Sequence, residues 1–119
     1  MNKILLAEDD NDIRFFSRKA LVNAGHDVVS CNNGMSAYER LREEPFTLLL
    51  TDIVMPEMDG MELARRATDL DPDLKVMFIT GFAVIALKHD SNTPKNAKVL
   101  SKPFHVRDLV HEVKKLLAS

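Results

Sequence analysis

The feature that most limits how this chain can fold is a regular alternation of short apolar runs with longer amphipathic stretches. Lys3 to Ala7, Asp27 to Cys31, Phe46 to Thr51, Lys75 to Thr80 and Ala97 to Ser101 read as five strands. The first, third and fourth are almost continuously apolar, the pattern of strands covered on both faces. Helical spacing fills the gaps between them. Ile13, Phe16, Ala20 and Ala24 recur at intervals of three and four, and Gly25 supplies a stop. A shorter helix is expected over about Ser36 to Arg42. Asp59 stands three residues before Glu62, a capping-box spacing that opens a helix running to about Leu70. Val106, Leu109, Val110, Val113, Leu116 and Leu117 mark one face of a final helix. Such alternation predicts an α/β fold: five parallel strands in the order 2-1-3-4-5, joined by right-handed crossovers, with helices on both faces. Between Lys88 and Lys98 the run Asp90-Ser91-Asn92-Thr93-Pro94 is the least helix-like, so the helix before the fifth strand is expected to be short.

A chain of 119 residues suffices for one domain, expected to span 1–119, and is too short for two. No apolar run approaches the roughly 20 residues of a membrane span, and the first residues lack a signal-peptide pattern. A lone Cys31 excludes an internal disulfide and suits a reducing compartment. A net charge of -2 gives no reason to expect nucleic acid as a direct partner. These features predict a soluble cytoplasmic protein with no membrane insertion.

In an open parallel sheet, ligands bind beyond the carboxyl ends of the strands. The first strand ends in Glu8-Asp9-Asp10, the third in Asp52, the fourth in Thr80, and the fifth in Lys102-Pro103. In the predicted order these strands are neighbours, so the side chains converge on one edge. Crowded carboxylates repel unless a cation neutralises them. Oxygen donors without a companion His or Cys favour a hard ion, and Mg²⁺ is the usual one where phosphate is handled. An EF-hand loop is excluded, because Ile13 and Arg14 occupy its acidic positions. A carboxylate can itself act as nucleophile and form an aspartyl phosphate. Asp52, on the central strand, is the candidate nucleophile. Lys102 offers a fixed cation for the incoming phosphoryl group, and Thr80 a hydroxyl donor. Taken singly, each element has a bland explanation: an Asp after a strand is usually a turn or cap residue, and the acidic triplet could simply cap the first helix. Their joint occurrence, in order and at strand ends, argues for the site.

The segment Leu48-Leu49-Leu50-Thr51-Asp52-Ile53-Val54-Met55-Pro56-Glu57-Met58-Asp59-Gly60 resembles the D-x-x-M-P-x-M-D-G signature of bacterial response-regulator receiver domains. The acidic pair Glu8 and Asp9, the hydroxyl of Thr80 and the pair Lys102-Pro103 match the rest of that family's pattern, and the likeness covers essentially the whole chain. The resemblance implies a flavodoxin-like (βα)5 receiver. It further implies that Asp52 accepts a phosphoryl group from phosphohistidine, and that Asp9, Asp52 and the Val54 carbonyl bind Mg²⁺, with Glu8 acting through water. Lys102 would pair with the phosphoryl group, the peptide before Pro103 would be cis, and Thr80 would relay the change to the output face. The family often carries Tyr or Phe three residues before the lysine; here that position is Val99, so the output surface is expected to differ.

A narrower likeness rests on Ala7-Glu8-Asp9-Asp10-Asn11-Asp12, Asn33-Gly34-Met35-Ser36-Ala37-Tyr38 and Pro94-Lys95-Asn96-Ala97-Lys98-Val99-Leu100-Ser101-Lys102-Pro103. These are similar to single-domain receivers of alphaproteobacterial cell-cycle proteolysis. That likeness implies a hybrid histidine kinase or histidine phosphotransferase as phosphodonor. It implies a ClpXP-type protease as output partner, served by the unphosphorylated form, and recruitment to a cell pole. Two other functions compete. An aspartate-nucleophile phosphatase commonly carries a second Asp two residues after the first, where this chain has Val54, and multiple turnover on a phosphate ester would reveal one. The receiver half of a longer DNA-binding regulator would continue past Ser119. His26, His89, His105 and His111 lack ligand spacing and are expected to be solvated or capping residues. Cys31 is expected to act as a small apolar residue, and Met55, Met58 and Met61 to pack in core or loop.

Overall fold

The computed structural model describes residues 2–81 and 97–118. Five strands and four helices alternate among them: β1 (Lys3–Ala7), α1 (Asn11–Asn23), β2 (Asp27–Cys31), α2 (Gly34–Glu43), β3 (Leu48–Asp52), α3 (Gly60–Leu70), β4 (Lys75–Thr80), β5 (Lys98–Ser101) and α4 (Val106–Ala118). All strand pairs are parallel, in the order β2-β1-β3-β4-β5. The run from Lys88 to Pro94, expected to shorten a helix, lies outside the described residues.

Period-two alternation divides the core between the two faces of the sheet. Leu5, Ala7, Leu49 and Phe78 face α2 and α3, packing with Ala37, Leu63, Ala64 and Ala67. Ile4, Leu6, Leu48, Leu50, Met77 and Ile79 face α1 and α4, packing with Leu21, Leu109, Val113 and Leu116. The three central strands are buried along nearly their whole length, which explains their almost continuously apolar sequence. Met55 and Met58 join the core beside α3, as expected of them.

The helix ends follow local chemistry. Asp10 caps α1, its carboxylate accepting from the Asp12 and Ile13 amides at 2.9 and 3.0 Å. The helix stops in a Schellman turn: Gly25, at φ 99°, donates to the Val22 carbonyl and His26 to that of Leu21. Asn33 caps α2 through the Ser36 amide at 2.8 Å, so this helix starts two residues before the predicted Ser36. Asp59 caps α3 through the Glu62 amide at 2.9 Å. Only that half of the predicted capping box forms, because the Glu62 carboxylate turns to Arg65 and Arg66 instead. His105 caps α4 as expected: its carbonyl accepts from Asp108 and Leu109, and its Nδ1 from the Arg107 amide.

A strand boundary also shifts. β3 runs from Leu48 to Asp52 rather than from Phe46 to Thr51, because pairing with β1 begins at Ile4 opposite Leu48. Asp52 thus belongs to the strand itself. In α1 the apolar series Ile13, Phe16, Ala20 and Ala24, which marks the helix by its spacing, lies off the core face. Ser17 and Leu21 are buried instead, and Phe16 is 56% exposed. Ile13, Phe16 and Ala20 line a groove of about 760 Å³ against Pro103, Phe104 and Val106.

Candidate functional site

Strand register brings the predicted residues to one edge. Ala7 pairs with Thr51, so Glu8 emerges beside Asp52. Asp52 pairs with Ile79, so Thr80 lies one residue farther along, and Thr80 pairs with Ser101 just before Lys102. The Lys102 amide donates to the Thr80 carbonyl at 2.8 Å, which extends the ladder into the site. The Lys102–Pro103 peptide is cis.

Glu8, Asp9 and Asp52 offer carboxylate oxygens all within 4.8 Å of one another. Asp10, the third residue of the acidic run, is taken up by its capping role. Glu8 is fully buried, Asp52 is 5% exposed, and Asp9 faces solvent. Lys102 Nζ lies 2.8 Å from Asp52 Oδ2 and 2.9 Å from Glu8 Oε1. Hence one ammonium bridges two of three crowded carboxylates. Glu8 Oε2 accepts from the Asp10 amide at 3.1 Å, and Oε1 faces the Lys102 ammonium at 2.9 Å.

The protonation equilibria reflect burial and crowding. Burial raises the Glu8 carboxyl to about 7, and the charge of Asp52 adds to the rise against the pull of the Asp10 amide and Lys102. Desolvation works to lower the Lys102 ammonium, but hydrogen bonds to Asp52 and Glu8 outweigh it and hold the pKa above the ordinary lysine value. A hard divalent cation fits such a site, which brings three carboxylates together and offers oxygen donors throughout.

Three supporting features were not read from the sequence. Arg14 donates to the Glu8 carbonyl at 2.8 Å and to Asn11 Oδ1 at 2.6 Å, pinning the acidic loop to α1. Thr51 Oγ1 donates to the Asp52 carbonyl at 2.8 Å. Gly60 lets α3 start hard against β3: a β-carbon there would sit 2.0 Å from the Asp52 carbonyl oxygen. A glycine opening a helix after an aspartate cap hints at the last; nothing in the sequence marks the first two.

The remaining residues also have defined places. The Val54 amide donates to Asp52 Oδ1 at 3.3 Å, while its side chain is 57% exposed. Val99 is half-buried in β5, opposite Phe78 and packed on the α3 side of the sheet. Cys31 is partly buried, and desolvation pushes its thiol up, as suits a packing residue better than a nucleophile. His26 is partly buried and His111 exposed, while His89 lies outside the described residues.

Comparison with known proteins decides the family. The response regulator receiver domain matches residues 4–114. The chain belongs to this family. Among curated proteins, this receiver is 71% identical to the response regulator receiver protein CpdR of Brucella abortus over 117 residues, covering 98% of each chain. It is 36% identical to part of the sensor kinase CckA of the same organism, covering 96% of this receiver but 12% of that protein. A solved response regulator receiver protein from Sinorhizobium medicae superposes with a TM-score of 0.91 at 30% identity, covering 99% of this receiver and 95% of that chain. The receiver is thus a CheY-like two-component signalling protein, homologous to CpdR. Among the described residues no helix is long and apolar enough to cross a membrane.

Proposed function

We propose that Asp52 is the phosphoacceptor of a phosphorelay and that its phosphorylation switches protein-protein contacts. The observation that carries this reading is Lys102, held 2.8 Å from Asp52 and 2.9 Å from Glu8 at the end of the sheet. An Asp52 carboxylate oxygen attacks the phosphorus of a phosphohistidine; the P–N bond breaks with its electron pair passing to the ring nitrogen, and the histidine leaves as a neutral imidazole that keeps the proton on its other nitrogen. Lys102 moves its hydrogen bond from the carboxylate to the phosphoryl oxygens, with the Thr80 hydroxyl as a second donor. Asp9, Asp52 and the Val54 carbonyl would hold Mg²⁺, with Glu8 acting through water. When bound, the ion offsets the negative charge of the incoming group.

The donor is a hybrid histidine kinase or a histidine phosphotransferase. The groove between α1 and residues 102–106 suits a helical donor, since it is apolar and opens beside Lys102. Phe16 on its rim and Phe15 beside it are 56% and 59% exposed. The output follows from the 71% likeness to CpdR: the unphosphorylated form assists a ClpXP-type protease in the cytoplasm, with recruitment to a cell pole. With an aliphatic Val99 in place of a swinging ring, the relay runs through Thr80 alone.

The test is a pull-down from cytosol with the unmodified protein and with its beryllofluoride–Mg²⁺ form. Protease subunits enriched only on the unmodified form are the expected result. Their absence from both forms, with another state-dependent partner present, would remove the proteolytic output and leave the phosphoacceptor reading.

A further inference from the structure

We propose that Gly34 is a positioning residue for the phosphoacceptor site, clamping the β3–α3 loop through direct contact with the backbone of Met58. The proposal rests on the reading of Asp52 and its neighbours as a Mg²⁺-assisted phosphoacceptor site. Gly34 opens α2 and is buried. A β-carbon there would fall 2.0 Å from the Met58 carbonyl oxygen, 2.8 Å from its Cβ and 2.9 Å from its carbonyl carbon. Backbone atoms cannot rotate aside as the end of a flexible side chain can, so any side chain at position 34 displaces the loop. The turn bearing Gly34 is itself fixed, because Asn33 caps it through the Ser36 amide.

The loop so clamped has its far end against α3, where Gly60 donates to the Ile53 carbonyl at 2.7 Å. Between the two ends, Met58 donates to the Pro56 carbonyl, and Glu57 holds a φ of 71°, which L side chains rarely adopt. Such a conformation persists where the surroundings over-determine it. Gly34 supplies that outside constraint. Val54 lies in the same loop, and its amide holds Asp52 Oδ1. A displacement of Met58 by about 1 Å therefore reaches the reactive carboxylate and the proposed carbonyl ligand, and errors of that size degrade reactivity severely.

Mg²⁺ titration followed by NMR, with wild type, Gly34→Ala and Gly25→Ala side by side, tests the clamp. Gly34→Ala is expected to raise the Mg²⁺ Kd about tenfold and to slow Asp52 phosphorylation by acetyl phosphate by a similar factor. Gly25→Ala strains a left-handed turn with nothing within 4 Å of the added carbon, so it should lower Tm and leave the Kd unchanged. A Gly34→Ala protein that loses Tm yet binds Mg²⁺ like wild type would overturn the proposal. Should that variant not fold, hydrogen exchange in wild type decides. The Ser36 and Ala37 amides, both bonded to Asn33, should exchange more slowly when Mg²⁺ binds, and unchanged exchange refutes the clamp. A wild type that binds no Mg²⁺ would instead sink the reading of the site on which the clamp depends.

Discussion

The two ends of the sheet handle charge in opposite ways. At the amino ends of the strands, Lys3 pairs with Glu44, which Arg40 also holds at 2.9 Å, and the Lys3 ammonium lies 5.4 Å over the Phe46 ring. There, cations and carboxylates meet in matched, partly exposed sets, and the hydrogen bond from Lys3 draws the Glu44 carboxyl below its ordinary value. At the carboxyl ends, three carboxylates crowd together, one ammonium pairs with two of them, and the deepest is pushed upward. The same chemical groups thus make a settled edge and an unsettled one. The unsettled edge departs from the best local solution, as functional sites commonly do, and on the proposed reading its charge would serve a cation and a phosphoryl group.

The contrast can be broken most completely at Asp52. Asp52→Asn is expected to abolish phosphorylation by acetyl phosphate while keeping the fold, since it removes one carboxylate from a crowded set; label retained on another residue would reject the assignment. Glu8→Gln should come next. Relieving the repulsion should raise Tm in metal-free buffer by about 3–5 °C, while Mg²⁺ affinity falls about tenfold. A lower Tm would mean that the pairing with Lys102 outweighs the crowding. At the opposite edge Lys3→Ala should cost far less, about 1–2 °C in thermal melts, because partly exposed pairs contribute little. Any effect of that variant on Mg²⁺ binding would show that the two edges are not independent.

The smallest effect belongs to Glu62, whose hydrogen bonds to Arg65 and then Arg66 lower its carboxyl from 4.5 to about 2. A carboxyl that binds its proton more weakly in the folded state stabilises the fold above the unfolded value. That contribution is present above about pH 4.5 and drains away as the pH falls toward 2. Wild type should therefore lose slightly more Tm across that interval than Glu62→Gln, and parallel melting curves would show the pair to be energetically silent.

Much of the fold was legible because strand and helix periods differ and the strands are buried on both faces. The unbroken apolar run of β3 and the caps at Asp59 and Gly25 announced their elements directly. The α1 helix was legible from the spacing of Ile13, Phe16 and Ala20, but its core side was not: those residues line a groove, and the core side carries Ser17, which no hydrophobic count selects. Glu8, Asp9, Asp52 and Lys102 were legible as a set because strand order alone makes their strand ends adjacent. Arg14 and Gly34 were not, since a guanidinium on a main-chain carbonyl and a missing β-carbon against Met58 depend on how helices pack.

Lys102 and Asp52 meet across fifty residues of chain, and Glu8 joins them from the first strand. Contacts so distant in sequence form late and together when a parallel sheet assembles. A nascent or partly unfolded copy therefore has the aspartate but neither its ammonium partner nor its acidic neighbours. Phosphate would then be entered only on finished molecules, so the count of modified copies would also audit folding.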